Sequence, residues 1–224
     1  MSNSSSTIIG KIIIAVSGMV LVLFIVGHTA GNLLMYLGQD ATNSYAAALK
    51  ANLPLLWGTR IAVFFAVIFH VIYSIKLNRI NSKAKPQMYA KKGYERSTLS
   101  SRTMMYLGIT ILFFLIYHIA HFTLVITNPE YNGMIDSTGR HDVYAMVIAG
   151  FKTPLISLVY IIASTTLGMH LSHAIQSMFH TLGINGVVFS KCVNLVGKIV
   201  GIGVAIGLGS IPIMVLLGVI GGNL

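Results

Sequence analysis

The chain has 224 residues, 55% of them hydrophobic and only 9% charged, with a formal net charge of +10. A water-soluble domain carries about 25% charged residues, so this composition excludes an ordinary soluble fold. No polar stretch is long enough to fold separately, and residues 1–224 are read as a single membrane domain.

Five apolar segments follow one another at residues 8–37, 56–77, 104–127, 154–180 and 193–220. Each meets the length of about 20 residues that a helix needs to cross a hydrocarbon core of about 30 Å. Strands crossing a bilayer must close into a barrel and alternate polar with apolar residues, and no such alternation is present. The expected fold class is therefore all-α integral membrane, a bundle of five transmembrane helices. In the first segment, Lys11 ahead of an apolar run resembles a signal peptide. The run is too long for a signal core and continues through His28 and Asn32, so the segment is expected to be retained. The second segment contains His70, the third His118 and His121, and the fourth His170, His173 and His180. The fifth has no histidine. Its Gly197/Gly201 and Gly203/Gly207 spacings predict close approach of neighbouring backbones, with Pro212 tolerated among them.

The positive charge is one-sided. The loop at 78–103 and its flanks carry Lys76, Arg79, Lys83, Lys85, Lys91, Lys92, Arg96 and Arg102 against Glu95 alone, and five crossings put Lys11, Lys191 and Lys198 on the same side. The opposite side carries Lys50, Arg60, Arg140 and Lys152, balanced by Asp40, Glu130, Asp136 and Asp142. That sums to about +10 on one face and about 0 on the other. The positive-inside rule then places the N-terminus and the basic loop in the cytoplasm and the C-terminus outside. The charge needs no nucleic-acid partner to explain it. The loop is a topological device that is also suited to a partner subunit or anionic headgroups.

Seven of the eight histidines fall in apolar segments. Ionisable groups are costly in a bilayer and mark function by default. One histidine could be a packing group; one in each of four consecutive helices points to ligation. Helix rise supplies a depth for each. His28 lies 16 residues beyond Ile12 and His118 lies 14 beyond Met104, about 21–24 Å from the cytoplasmic face at about 1.5 Å per residue. His70 and His170, 14 and 16 residues from Leu56 and Pro154, lie as far from the outer face. Two pairs result, His28 with His118 and His70 with His170, with centres about 12–18 Å apart. Zinc usually recruits four ligands at one locus, often with thiolate. Two levels of two imidazoles suit two six-coordinate haems, whose filled axial positions favour electron transfer over substrate binding. Gly27, Ala30, Gly31, Ala120 and Gly168 are small residues expected to make room for a macrocycle. His118/His121 and His170/His173 are each three apart and share a helix face, so residue spacing leaves open which member ligates. The second member would hold a propionate, line a quinone pocket or pack, and His180 is expected at the interface. Cys192 is the only cysteine, which excludes an internal disulfide, a four-cysteine iron–sulfur cluster and covalent c-type haem attachment.

The stretches FIVGHTAGNLLMY, FHVIYSIKL, YHIAHFT and LGMHLSHAIQSMFHTLGIN resemble the single-chain di-haem cytochrome b subunit of succinate:quinone and quinol:fumarate reductases, over nearly the whole chain. Carried over residue by residue, the resemblance implies that His28 and His118 hold a distal haem b and His70 and His170 a proximal one. It also implies a flavoprotein and an iron–sulfur protein docked on the cytoplasmic face of a bacterial inner membrane, with menaquinone or another quinone as substrate. Some relatives carry a fourth-helix glutamate near the proximal ligand for compensating proton transfer. Here the apolar segments hold no Asp or Glu, and Gly168 lies in that neighbourhood. Compensation is then expected to be absent, or to run through a histidine such as His121 or His173, or through water. A quinone site near His28 would draw on Asp40, Arg60 and His141 for proton exchange. The rival readings are a di-haem cytochrome b of another respiratory complex, such as a formate dehydrogenase or nitrate reductase, and a haem-free transporter or assembly anchor.

Overall fold

The computed structural model describes residues 2–83, 99–184 and 186–222. Its helices are α1 (Ser2–Asn32), α2 (Gln39–Ala51), α3 (Leu53–Lys83), α4 (Leu99–His118), α5 (Val143–Phe151), α6 (Pro154–Thr181) and α7 (Val187–Leu216). Helix α1 runs on into a 3-10 turn at Leu33–Leu37, α4 runs on into a π-turn at Ile119–Thr123, and a second 3-10 turn lies at Pro129–Gly133. Among the described residues no strand forms beyond one antiparallel bridge between Ile135 and His141. Five helical spans, Thr7–Leu37, Leu53–Ser82, Thr103–Thr123, Pro154–Thr181 and Val187–Leu216, are long and apolar enough to cross a membrane. They coincide with the five apolar segments. Lys85, Lys91, Lys92, Glu95 and Arg96 of the basic loop lie outside the described residues, whereas Lys76 and Arg79 extend the last turns of α3.

The two helices not anticipated, α2 and α5, lie in the connections at one end of the bundle. Gly38, at φ 95°, makes the left-handed turn that separates α2 from the preceding 3-10 turn. Asp142 caps α5 by accepting a hydrogen bond from the Ala145 N–H at 3.0 Å. Pro154 opens α6 at a position where its missing N–H costs nothing.

The most extensive helix contact is α6 with α7, followed by α1 with α3, α4 with α6 and α1 with α6. Small residues allow the first of these. A Cβ on Gly168 would lie 2.5 Å from the Gly201 carbonyl oxygen, and one on Gly197 would lie 2.8 Å from that of Ser172. One on Gly201 would collide with both Gly168 O and Ser172 Oγ. Gly207 meets Thr29 of α1, while Gly203 faces open space, so the two expected spacings serve different neighbours. Gly168 itself therefore belongs to the α6/α7 seam rather than to the room around a ligand. Two residues along a helix rotate the side chain by about 200°, which turns Gly168 away from the direction of His170.

Large apolar side chains cover the outside of the spans: Leu23, Phe113, Leu155 and Ile206 are 65–70% exposed. Exposed apolar area on this scale needs a non-aqueous neighbour, as in a multi-pass membrane protein. The buried core lies toward the end that carries α2 and α5, called here the capped end. Met35, Tyr131, Ile148, Phe151, Tyr160, Ile211 and Val215 pack together there.

Candidate functional site

His28 on α1 and His118 on α4 meet with ring centroids 5.9 Å apart. His70 on α3 and His170 on α6 meet at 6.5 Å. Metal–imidazole bonds are about 2.0–2.1 Å, so two imidazoles on one metal would have their centroids a little over about 6 Å apart. An edge-to-face aromatic contact spans the same range, and other features separate the two explanations. Among the described residues no hydrogen bond joins the rings of either pair. The helices that carry each pair, α1 with α4 and α3 with α6, are also not among those with extensive backbone contact. Each pair thus bridges a gap that its helices leave open. No group of three or more His, Cys, Asp or Glu among the described residues is placed to hold a metal ion. Each level thus offers two imidazoles, which could serve a metal whose remaining ligands come from elsewhere.

The pairs occupy different levels. His70 Cε1 would lie 3.4 Å from a Cβ on Gly18, and His170 Cε1 3.6 Å from one on Gly108. Gly18 and Gly108 stand ten residues before His28 and His118 on the same helices, a separation of about 15 Å along the axis. These two glycines are the small residues that border the rings of one histidine pair, and the sequence reading missed both. Of the glycines that it did single out, Gly27 faces open space and Gly31 meets the ring of Tyr45.

The surroundings of the pairs differ. At the capped level each ring has a phenylalanine one turn earlier: Phe24 stacks on His28 at 5.5 Å and Phe114 on His118 at 5.8 Å. His121 is fully buried, and its Nδ1 lies 2.9 Å from the Tyr160 hydroxyl, which is also 3.3 Å from His118 Nδ1. At the other level, His70 Nδ1 lies 3.4 Å from Ser17 Oγ, and among the described residues His170 Nδ1 has no partner. His118 rather than His121 faces His28, and His170 rather than His173 faces His70. His173 is half-buried, and among the described residues no ring contact joins it to either inner histidine.

No protein-family model, curated protein or solved structure matches the chain.

Of the three polar residues expected near a quinone, two come together. Arg60 and His141 line a cleft of about 320 Å³ with Lys50, Phe122 and Val125. Phe122 lies 6.2 Å from the His118 ring, so the cleft adjoins the capped pair. Burial, then the Lys50 charge, hold the His141 imidazole below its usual range. Asp40 is elsewhere, its carboxylate 2.8 Å from Arg140 Nη2. That pair belongs to a polar network which the sequence reading saw only as balanced loop charge. Arg140 also binds Asp136 through Nε at 2.8 Å, and buried Asn43 donates to Asp136 at 3.1 Å and to Asp142 at 2.9 Å. Asn43 Oδ1 accepts from the Tyr144 N–H. The network pins α2 to α5 across the cap.

Proposed function

We propose that this chain is the cytochrome b membrane anchor of a succinate:quinone or quinol:fumarate oxidoreductase, passing electrons between a partner iron–sulfur subunit and a quinone. The observation that carries the reading is the meeting of four histidines from four helices as two pairs, each bridging an open gap. His28 and His118 would hold one haem b, and His70 and His170 the other. A haem held by two imidazoles would supply one-electron transfer there. The chain's own part is to hold the rings apart, orient them through Phe24 and Phe114, and keep the sites dry behind apolar faces. Dicarboxylate chemistry belongs to a flavoprotein partner, docked with the iron–sulfur subunit on the basic, cytoplasmic face of a bacterial inner membrane. The cleft of Lys50, Arg60 and His141 suits a quinone such as menaquinone, with apolar walls for the ring and cationic donors for its oxygens.

A dithionite-reduced minus oxidised spectrum of the purified protein tests the reading, with two haems b per chain expected by pyridine haemochrome. A spectrum with no b-type band sinks it in favour of a haem-free anchor. Co-purification of a covalent-flavin subunit separates it from the cytochromes of formate dehydrogenases and nitrate reductases.

A further inference from the structure

The Tyr160 hydroxyl lies between two imidazole nitrogens, His118 Nδ1 at 3.3 Å and His121 Nδ1 at 2.9 Å. A phenol carries one hydrogen, so it accepts from one ring and donates to the other. His121 is fully buried, and its Nε2 is one of two buried side-chain polar atoms without a partner among the described residues. Leaving such a group unpaired is costly, and an apolar side chain would avoid that cost. The backbone beneath it is also unusual. Residues 119–123 form a π-turn closed by the Leu124 N–H on the Ile119 carbonyl at 2.8 Å, and Val125 follows at φ 53°, a region that a β-branched residue rarely enters. His121 thus sits at a costly position in costly backbone, with one polar contact to show for it.

We infer that Tyr160 is a positioning residue for His118 and that His121 acts through Tyr160. The inference rests on the reading of His118 as an axial ligand. A neutral imidazole bound to metal through Nε2 carries its hydrogen on Nδ1, and the group that accepts this hydrogen sets the ring's orientation and donor strength. The direction of the chain follows: His118 Nδ1–H donates to Tyr160 Oη, and Tyr160 O–H donates to His121 Nδ1. Successive hydrogen bonds polarise one another, so His121 strengthens the acceptor that His118 sees. Tyr160 takes no part at the other level, where Ser17 Oγ lies 3.4 Å from His70 Nδ1 and gives its own hydrogen to the Ile13 carbonyl at 2.6 Å, and His170 Nδ1 has no partner among the described residues. A change at Tyr160 should therefore be felt by one haem alone.

The test is a potentiometric titration of the haem-loaded protein, followed optically and by low-temperature EPR of the ferric haems. In Tyr160→Phe the midpoint of one haem rises, because a weaker donor disfavours the ferric state, and one EPR signal moves while the other stays. His121→Leu gives a smaller rise at the same haem, and adding it to Tyr160→Phe gives no further rise. Shifts at both haems, at neither, or fully additive shifts in the double variant overturn the inference. If Tyr160→Phe fails to load, His121→Leu decides alone: a rise at one haem supports the inference, and no rise overturns it. A wild-type protein that binds no haem removes the underlying reading as well. Two haems without these shifts remove only the inference.

Discussion

At the capped end the helices are held by large side chains, Met35, Phe151, Tyr160, Ile211 and Val215 among them, and by the Asn43–Asp136–Asp142 network that ties α2 to α5. Farther from the cap α6 and α7 meet backbone to backbone at Gly168, Gly197 and Gly201. The difference follows from what each region faces. Between spans surrounded by hydrocarbon, burial of an apolar side chain gains little, and close packing through small residues takes its place. Where connections reach water, burial of large apolar groups drives packing again, and loop carboxylates can be ion-paired. The histidine pairs reflect the same division. One is bordered by aromatic rings and the Tyr160 hydroxyl, the other by Gly18, Gly108 and the Ser17 hydroxyl.

The largest expected effect tests whether the two levels are independent. His70→Leu should remove one haem and about half of the reduced-minus-oxidised absorbance, as two equivalent bis-histidine sites require, and His28→Leu should remove the other half. Loss of both haems from either single change would mean that the levels form one unit. Next, Gly201→Ala forces a methyl group against backbone and side chain on α6 and should cost toward 3 kcal/mol, the upper range for overpacking. Gly203→Ala, facing open space, should cost no more than about 0.5 kcal/mol. Equal losses in detergent unfolding would dismiss the seam as a packing device. At the cap, Asn43→Ala leaves carboxylate oxygens and the Tyr144 N–H short of partners and should cost about 2 kcal/mol, while the spectrum of the haem farther from the cap stays unchanged.

A pH series sharpens the same contrast. Burial alone would raise the Asp136 carboxyl, but hydrogen bonds from Thr138, from the Arg140 backbone and guanidinium and from Asn43 outweigh it and hold the group well below the usual carboxylate range. A depressed carboxyl stabilises the folded state above its unfolded value of about 4 and loses that contribution as pH falls below it. The thermal midpoint should therefore hold from neutrality to about pH 5 and drop below pH 4, with a flatter acid limb in Asp136→Asn. An unchanged acid limb would mean that the network adds no stability. The smallest effect is expected in the cleft. Arg60→Ala and His141→Ala should each raise the quinone KM about two- to fivefold, under about 1 kcal/mol at 1.36 kcal/mol per decade, with both haems retained. An unaltered KM in both would place the quinone elsewhere.

Much of this was legible beforehand because it depends on distance along one helix. Length and hydropathy are enough to mark five spans, and a constant rise per residue is enough to sort His28 and His118 from His70 and His170. Tyr160 was missed because a single tyrosine in an apolar run gives no signal until its neighbours are known. Gly18 and Gly108 did leave one, each ten residues before a ligand candidate, but glycines are common in membrane helices and the interval means nothing until another helix is set beside it. Nothing in the residue type singles out Asn43, although Gly38 followed by an alanine-rich polar run is the pattern of a short surface helix.

The amino-acid sequence by itself determined that five helices are long and apolar enough to span a membrane and where along them each histidine stands, since these follow from local chain geometry and the thickness of a bilayer. Tertiary structure decided which histidine of each i, i+3 pair faces a partner, which glycines form the seam, and which loop charges meet. Residues three apart share a helix face, so one helix cannot choose between His118 and His121 or between His170 and His173; only the position of the helix opposite can.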